Sequence, residues 1–355
     1  MPTTHPTLSV ADVATSIARR AVVAPTGVAK IGLELEWLTF DPQAPRRRVH
    51  PDEIAAAVAA TTLPHGGAVT VEPGGQVELS SPPLPSLCAA IDATLTDATA
   101  LRRALAAAGI ATAAEPVDHD RPPDRVLDTP RYAAMEAFFA GDGPAGRSMM
   151  CNTASMQVNV DAPGDPAIAW RAAEAVARAL PELVNTGHRA AIWSAIDPTR
   201  TAAVGGDDPG EAWARYALDA RVMFLRVGAE RCEPQLDGLT LRRWISEGHP
   251  LGWPTADDVD EHLTTLFPPV RPRGFLEIRS LDAFDDDTWP AVAATAAASV
   301  LDFEAANAIV DLESVGCLDG EALIAIAGPA VGRLGAPQAL VARVAELAEG
   351  VHACR

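Results

Sequence analysis

The chain has 355 residues, 48% of them hydrophobic, and carries 47 Asp+Glu against 28 Lys+Arg for a formal net charge of −19. That balance leaves ample material for a core and excludes a nucleic-acid binder built on a basic face. No apolar run approaches the roughly 18 residues a membrane span needs, so no membrane is expected. The opening "MPTTHPTLSVADVATSIARR" lacks the apolar stretch of a signal peptide. The five cysteines, Cys88, Cys151, Cys232, Cys317 and Cys354, are odd in number and widely spaced. This points to reduced thiols and a cytoplasmic chain. Lys30 is the only lysine, so phosphate chemistry would rest on arginine, backbone N–H groups or metal.

Taken in chain order, residues 9–22 read as an amphipathic helix and "KIGLELEWLTF" (30–40) alternates as a strand. A turn-rich loop, "DPQAPRRRVHP", leads into a short helix at "DEIAAAVAA". A hairpin follows from about Val69 to Ser81, turning at Pro73-Gly74-Gly75. Residues 86–108 form a long helix stopped by Gly109, and "IATAAEPV" is expected as a strand. "RYAAMEAFFA" is helical, "GDGPAG" is a loop, and "SMMCNTASMQVNVDA" is expected as one long strand. Helix returns at 166–182, and "WARYALDARVMFLRV" reads as a helix and then a strand. Thr255 caps a helix at "TADDVDEHLTTLF", and "RGFLEIRSLDA" is a strand. From Trp289 onward the chain is Ala-rich helix. A single α+β catalytic domain with a largely antiparallel sheet fits this order, its motif-bearing core at about 28–285 and its helical C-terminal part at about 288–355.

Residues two apart on a strand share a face. Glu34 and Glu36 therefore point one way while Leu33, Leu35 and Trp37 point the other. Gln157, Asn159 and Asp161 oppose Met156, Val158 and Val160, and Glu277 and Arg279 oppose Leu276 and Ile278. Such rows can be the wet face of a sheet. Acids recur in them, however: Glu34, Glu36, Glu72, Glu78 and Glu277. Converging carboxylates raise one another's pKa, a strain that a hard divalent cation relieves. Carboxylate and amide oxygens suit Mg²⁺ or Mn²⁺ rather than zinc.

There is no GxxxxGK[ST], HExxH or GxSxG motif, and "GDGPAG" follows a helix where a dinucleotide fingerprint would follow a strand. The eight histidines are scattered. Cys151 reads as a small buried residue. Arg279, beside Glu277, is either a cross-strand ion pair or a guanidinium fixed for a phosphoryl group.

Taken together, "IGLELEW", "VTVEPGGQVELSSPPL", "RYAAMEAFF", "GRSMMCNTASMQVNVD", "IWSAIDPTRT" and "HLTTLFPPVRPRGFLEIRSLDA" resemble the glutamate–cysteine ligase family, in particular its plant-like group and the actinobacterial branch that opens ergothioneine biosynthesis. The resemblance implies a curved, mostly antiparallel sheet flanked by helices, the carboxylate–amine ligase fold related to glutamine synthetase. It implies ATP-dependent ligation of glutamate to cysteine through a γ-glutamyl phosphate. ATP, glutamate and cysteine would be the small-molecule partners and Mg²⁺ the cation. On this resemblance Glu34, Glu36, Glu72, Glu78 and Glu277 are metal ligands, with Gln157 at the metal edge. Glu78 and Arg279 are catalytic, Arg279 lying near the transferred phosphoryl group. Arg189, Arg200, Trp193, Met150 and Asn159 bind substrate, with Arg189 or Arg200 on a substrate carboxylate. The stretch "PELVNTGHRAAIW" is shorter than in typical members. The alternatives are a ligase for a different amine and a silent homologue that binds nucleotide or amino acid.

Overall fold

In the computed structural model, residues 8–228 and 231–349 are described. The last six residues of the expected helical tail, Cys354 among them, lie outside the described residues, as do the first seven.

The strands are β1 (Ile31–Phe40), β2 (Ala68–Val71), β3 (Val77–Ser80), β4 (Ala111–Ala113), β5 (Ser155–Val160), β6 (Phe224–Arg226), β7 (Cys232–Pro234), β8 (Val270–Pro272) and β9 (Leu276–Asp282). The helices of the first half are α1 (Val10–Ala21), α2 (Pro51–Ala59), α3 (Leu87–Ala107), α4 (Pro130–Ala140), α5 (Ala145–Asn152) and α6 (Pro166–Val184). Then come α7 (His188–Ser194), α8 (Pro198–Thr201), α9 (Pro209–Asp219), α10 (Leu241–Glu247) and α11 (Ala256–Leu263). The chain closes with α12 (Trp289–Leu301), α13 (Phe303–Ser314), α14 (Gly320–Arg333) and α15 (Gln338–Glu349).

The alternation along β1 decides the layout. Leu33, Leu35 and Trp37 are buried against the helices, and the same side of the sheet carries Val77, Leu79, Met156, Val158 and Ile278. The main sheet runs β2-β3-β1-β5-β9-β8, with β4 pairing the far end of β1, and every one of these pairings is antiparallel. Helices α3, α6, α12 and α14 supply Leu101, Trp170, Val292 and Leu323 to the core on that face. A second apolar cluster joins α1, α9 and α10 through Ile17, Trp213 and Trp244. Among the described residues no single helix is long and apolar enough to cross a membrane.

Two expectations fail locally. "SMMCNTASMQVNVDA" is not one strand: Ala145–Asn152 is helical and β5 begins only at Ser155. The segment has few β-branched residues before Met156, and adjacent apolar residues such as Met149 and Met150 fit a buried helix as well as a strand. Gly146 lets α5 press against α4, because a Cβ there would collide with the Phe139 ring. The strand expected at "IATAAEPV" shrinks to Ala111–Ala113.

Candidate active site

The face of the sheet opposite the core carries the acids. Register sets Glu36 opposite Glu78 and Glu34 opposite both Ser80 and Gln157. Asn159 stands opposite Glu277, which in turn faces Arg271 on β8. This face is not wet. Gln157 and Glu277 are buried, and Glu34, Glu36, Glu72, Glu78 and Arg279 are no more than half-exposed.

Glu72 enters from the hairpin turn. Its N–H donates to the Gln76 carbonyl at 2.8 Å, and Gly75 donates back to the Glu72 carbonyl at 2.9 Å. Gly74 carries no Cβ because the turn lies against α5, where a side-chain carbon would strike the Cys151 carbonyl. Gly75 adopts φ +88°, a conformation open to glycine. Arg48, from the loop after β1, ties the same contact together by donating to the carbonyls of Gly74 (3.1 Å) and Cys151 (2.7 Å). Gln76 is buried and donates to the Thr153 carbonyl at 2.8 Å while accepting from Gly74 N–H at 3.0 Å. The Pro-Gly-Gly turn is thus welded to the helix that carries Met149 and Met150.

The electrostatics divide the acids into two kinds. Burial pushes Glu34 up to about 7, helped by the charges of Glu78 and Glu277. Burial, then Glu36 and Glu78, pushes Glu72 up to about 8. Glu36 and Glu78 are raised as well, again first by burial. Their hydrogen bonds offset this only in part: Ser155 N–H to Glu36 at 2.8 Å, Thr70 hydroxyl to Glu78 at 2.9 Å, and Asn159 amide to Glu34 at 3.0 Å. Glu277 is the opposite case. Burial works to raise it, but Arg271, Arg279 and Arg273 hold it down to about 2. Arg271 spans both carboxylate oxygens at 2.5 and 3.0 Å, Arg273 adds a contact at 3.2 Å and Arg279 one at 3.1 Å. Both Glu277 oxygens are engaged by guanidinium groups, so a cation expected at Glu277 would share this carboxylate with Arg271, Arg273 and Arg279. Gln157, expected at the metal edge, likewise gives its amide oxygen to Arg279.

Arg189 and Arg200 part company. Arg189, on α7, is 5% exposed and lines the site; its guanidinium stacks over Trp193 at 5.0 Å and donates to the Arg279 carbonyl at 3.2 Å. Arg200 is fully buried and spends its donors on Asp197 (3.0 Å), the Thr265 carbonyl (2.7 Å) and the Arg221 carbonyl (2.8 Å). With its guanidinium saturated in the core, Arg200 does not reach a substrate, and that expectation is corrected.

A cavity of about 110 Å³ opens on Glu36, Glu72, Arg189, Trp193 and Arg279, with Tyr132, Met135, Met149, Met150 and Phe267 as its apolar walls. Tyr132, unmarked in the sequence, has its hydroxyl pushed up to about 12 by burial and then by Glu72. Ser280 and Asp282 also went unrecognised. Strict alternation from Glu277 would send Asp282 to the core side, but the β5–β9 register shifts between Met156 and Val158. The bulge sets Asp282 opposite Ser155 and Leu281 opposite Met156. The apolar spacing 276, 278, 281 was the signal: two, then three.

These features meet a sequence match that covers most of the chain. A model of the glutamate–cysteine ligase family 2 (GCS2) matches residues 30–183 and 186–321. The chain belongs to this family. It is similar to the glutamate–cysteine ligase EgtA of Mycolicibacterium smegmatis, 40% identical over 292 residues, 76% of this chain and 68% of that one. It is 39% identical to the EgtA enzyme of Mycobacterium tuberculosis over 308 residues, 79% of this chain and 71% of that one. The chloroplastic glutamate–cysteine ligase of Arabidopsis thaliana is 29% identical over 272 residues, 69% of this chain and 51% of that one.

On this glutamate–cysteine ligase family chain a second opening lies at the other end of the carboxylate row. It is a cleft of about 700 Å³ reached by Glu34 and Asn159 and lined also by Lys30, Gly32, Ser81 and Phe275. Glu34 lines this cleft while Glu36 and Glu72 line the smaller cavity. The donor chemistry fits a hard cation: four half-buried carboxylates with raised pKa values and only oxygen donors. Among the described residues no three His, Cys, Asp or Glu side chains are already gathered closely enough to hold a metal ion. Binding one would require these carboxylates to turn toward a common centre.

Proposed function

We propose that this chain joins the γ-carboxylate of glutamate to the α-amine of cysteine at the expense of ATP, giving γ-glutamylcysteine, ADP and phosphate. One observation carries the reading: a row of half-buried, under-compensated carboxylates with Arg279 beside it, lying between a small amino-acid-sized cavity and a larger cleft. Identity of 39–40% to two EgtA enzymes supports it. The likeness of the motif set to enzymes that open ergothioneine biosynthesis supports that use of the product.

A bare carboxylate does not form an amide at neutral pH at useful rates, so it must be activated. A γ-carboxylate oxygen of glutamate attacks the terminal phosphorus of ATP, and ADP leaves. The cysteine nitrogen then attacks the acyl carbon and loses a proton, and phosphate departs. Positioning and charge neutralisation dominate such a transfer. The cleft at Lys30 and Asn159 has the size for a nucleotide. Arg279 is held by Glu277 and Gln157, a fixed cation for the charge that develops on the transferred group. Arg189, with Trp193 beneath it, suits a substrate carboxylate. Met149 and Met150 offer a soft, apolar wall to a thiol. Glu34, Glu36, Glu72 and Glu78 would hold Mg²⁺ or Mn²⁺, which neutralises phosphate charge when bound.

The test is ADP release with Mg²⁺, ATP, glutamate and a panel of amines. Turnover that requires both glutamate and cysteine is expected. Turnover with another amine alone would reassign the acceptor, and nucleotide binding without ADP formation would overturn the ligase reading.

A further inference from the structure

Asp282 ends β9, is 1% exposed, and makes no contact with the amino-acid cavity. Outside the sheet its hydrogen bonds run to Asn185 and Thr186, two of the three residues that join α6 to α7. Its Oδ2 accepts from the Thr186 N–H at 3.0 Å and from the Thr186 hydroxyl at 3.1 Å. Its own N–H donates to the Asn185 side-chain oxygen at 3.1 Å, while the Asn185 amide donates to the Ser280 carbonyl at 2.8 Å. Gly187 follows with φ +80° and caps α7 without a side-chain hydrogen bond. At the start of the seven-residue α7 the Thr186 hydroxyl receives the His188 N–H at 3.4 Å, and the His188 ring meets His119 edge-on at 5.1 Å.

The helix so fixed carries Arg189 in its first turn and Trp193 one turn later. Both line the cavity, and the Nε of Arg189 and the Nε1 of Trp193 are buried donors with no partner. Buried donors left unpaired are costly. Two on one short helix whose side chains line the cavity leave unmet donor capacity at its wall, which a small rotation toward an incoming acceptor would satisfy. Their aim depends on where α7 begins, and the Asp282–Thr186 contact lies immediately before that point.

We propose that Asp282 is a positioning residue: through Thr186 and Asn185 it fixes the start of α7 and thereby aims Arg189 and Trp193 at the carboxylate of the amino-acid substrate. The identity of that substrate rests on the proposed function; the fixing of α7 does not.

The experiment uses the full chain with Asp282→Ala, Asp282→Asn, Thr186→Val, Arg189→Ala and the Asp282→Ala/Arg189→Ala double variant. Steady-state kinetics are read for glutamate and ATP separately, and hydrogen exchange is read on the segment 185–194. Asp282→Ala should raise the KM for glutamate about tenfold with little change in the KM for ATP, the size of a misaimed charged hydrogen bond. Asp282→Asn, which keeps an acceptor for Thr186, should recover part of the loss. Thr186→Val should give a smaller rise of the same kind. The double variant should lose no more than Arg189→Ala alone, because Asp282 acts through Arg189. Exchange across 185–194 should quicken in Asp282→Ala. Unchanged exchange there, equal rises in both KM values, or losses that multiply in the double variant would each overturn the positioning role. If the wild-type chain turns over no glutamate, the proposed function fails. The exchange measurement then decides the fixing of α7 by itself, and its being unaffected by Asp282→Ala would overturn it.

Discussion

Glu36 and Glu78 stand directly opposite each other on neighbouring antiparallel strands, with Glu72 close enough to feel the charge of both. Like charges paired across a ladder destabilise it by roughly 0.2–1 kcal/mol. A sheet selected for stability alone would not keep this pair. Glu78→Gln should therefore separate function from stability. Turnover is expected to fall by about 100-fold or more, in the range for removing a group that organises charge in the transition state. The melting temperature in chelator at pH 8 should match or exceed the wild type. A variant with near-normal rates would show that Glu78 does not serve the metal-binding carboxylate row.

Protons compete with cations for the same oxygens. Glu34 and Glu174 are held near 7 and Glu72 near 8, against an ordinary value of 4.5, each mainly by burial. Folded-state values that lie above the unfolded ones mean that the native chain binds more protons between these limits. The stabilisation is complete below about pH 4.5 and is lost as pH rises through 7 to 8. Thermal unfolding in EDTA should thus show a lower midpoint at pH 8.5 than at pH 6. Mg²⁺ or Mn²⁺ should restore more at pH 8.5, because binding must displace fewer protons there. Glu174 lies on α6 outside the row and lines a separate cavity. Glu174→Gln should flatten the pH slope yet leave the cation response intact. A midpoint that stays level or climbs between pH 6 and 8.5 in EDTA would refute the raised values.

What the sequence made legible followed from period two. Leu33, Leu35 and Trp37 against Glu34 and Glu36 gave the strand, its two faces and the acid row before any coordinates, because one face had to be buried. Thr255 before an apolar-periodic run gave a helix start, and the structure adds the reciprocal bond from Asp258. Legibility ended where tertiary contact overrides the local pattern. A bulge in β9 moved Asp282 to the active face, and no alternation rule includes a bulge. Arg200 and Arg189 look alike in "GHRAAIWSAIDPTRT", since nothing local says which guanidinium will be surrounded by carbonyl groups. Glu277 reads as one more acid of the row until Arg271 is found opposite it on the edge strand.

The turn that carries Glu72 makes a sharper stability prediction than any side chain in the row. A methyl group at Gly74 has nowhere to go: its neighbours are the backbone atoms of Cys151, which α5 and Arg48 hold in place. Gly74→Ala must displace the turn, and with it Glu72, from α5. Overpacking of this kind costs roughly 1–3 kcal/mol. The expected outcome is a lowered melting temperature together with strongly reduced turnover, whereas Gly328→Ala, on α14 where an added Cβ meets nothing within 4 Å, should leave turnover unchanged. A Gly74→Ala enzyme with full activity would show that Glu72 need not be held where the turn holds it.

Arg200 and Arg189 supply the contrast between holding the fold and holding a ligand. Arg200 is the nearer partner of Asp197, 2% exposed, at 3.0 Å, with Arg221 at 3.9 Å, and it stacks on Phe138 at 4.6 Å. Removing one partner of a buried pair costs about 3–5 kcal/mol, and Arg221, at 3.9 Å, offsets only part of the charge left on Asp197. Arg200→Met should therefore unfold on the order of 5–10 °C earlier, while the folded fraction keeps its KM for glutamate. Among the described residues Arg189 donates to the Arg279 carbonyl and leaves its buried Nε unpaired, on a side chain that lines the cavity. Arg189→Lys retains the charge but loses the planar fork and its stacking on Trp193. Its midpoint should stay within about 2 °C of the wild type, and its KM for glutamate should rise about tenfold. Calorimetry and initial rates on the two variants decide the assignment: a large KM effect from Arg200→Met with an unchanged midpoint would return Arg200 to the substrate site.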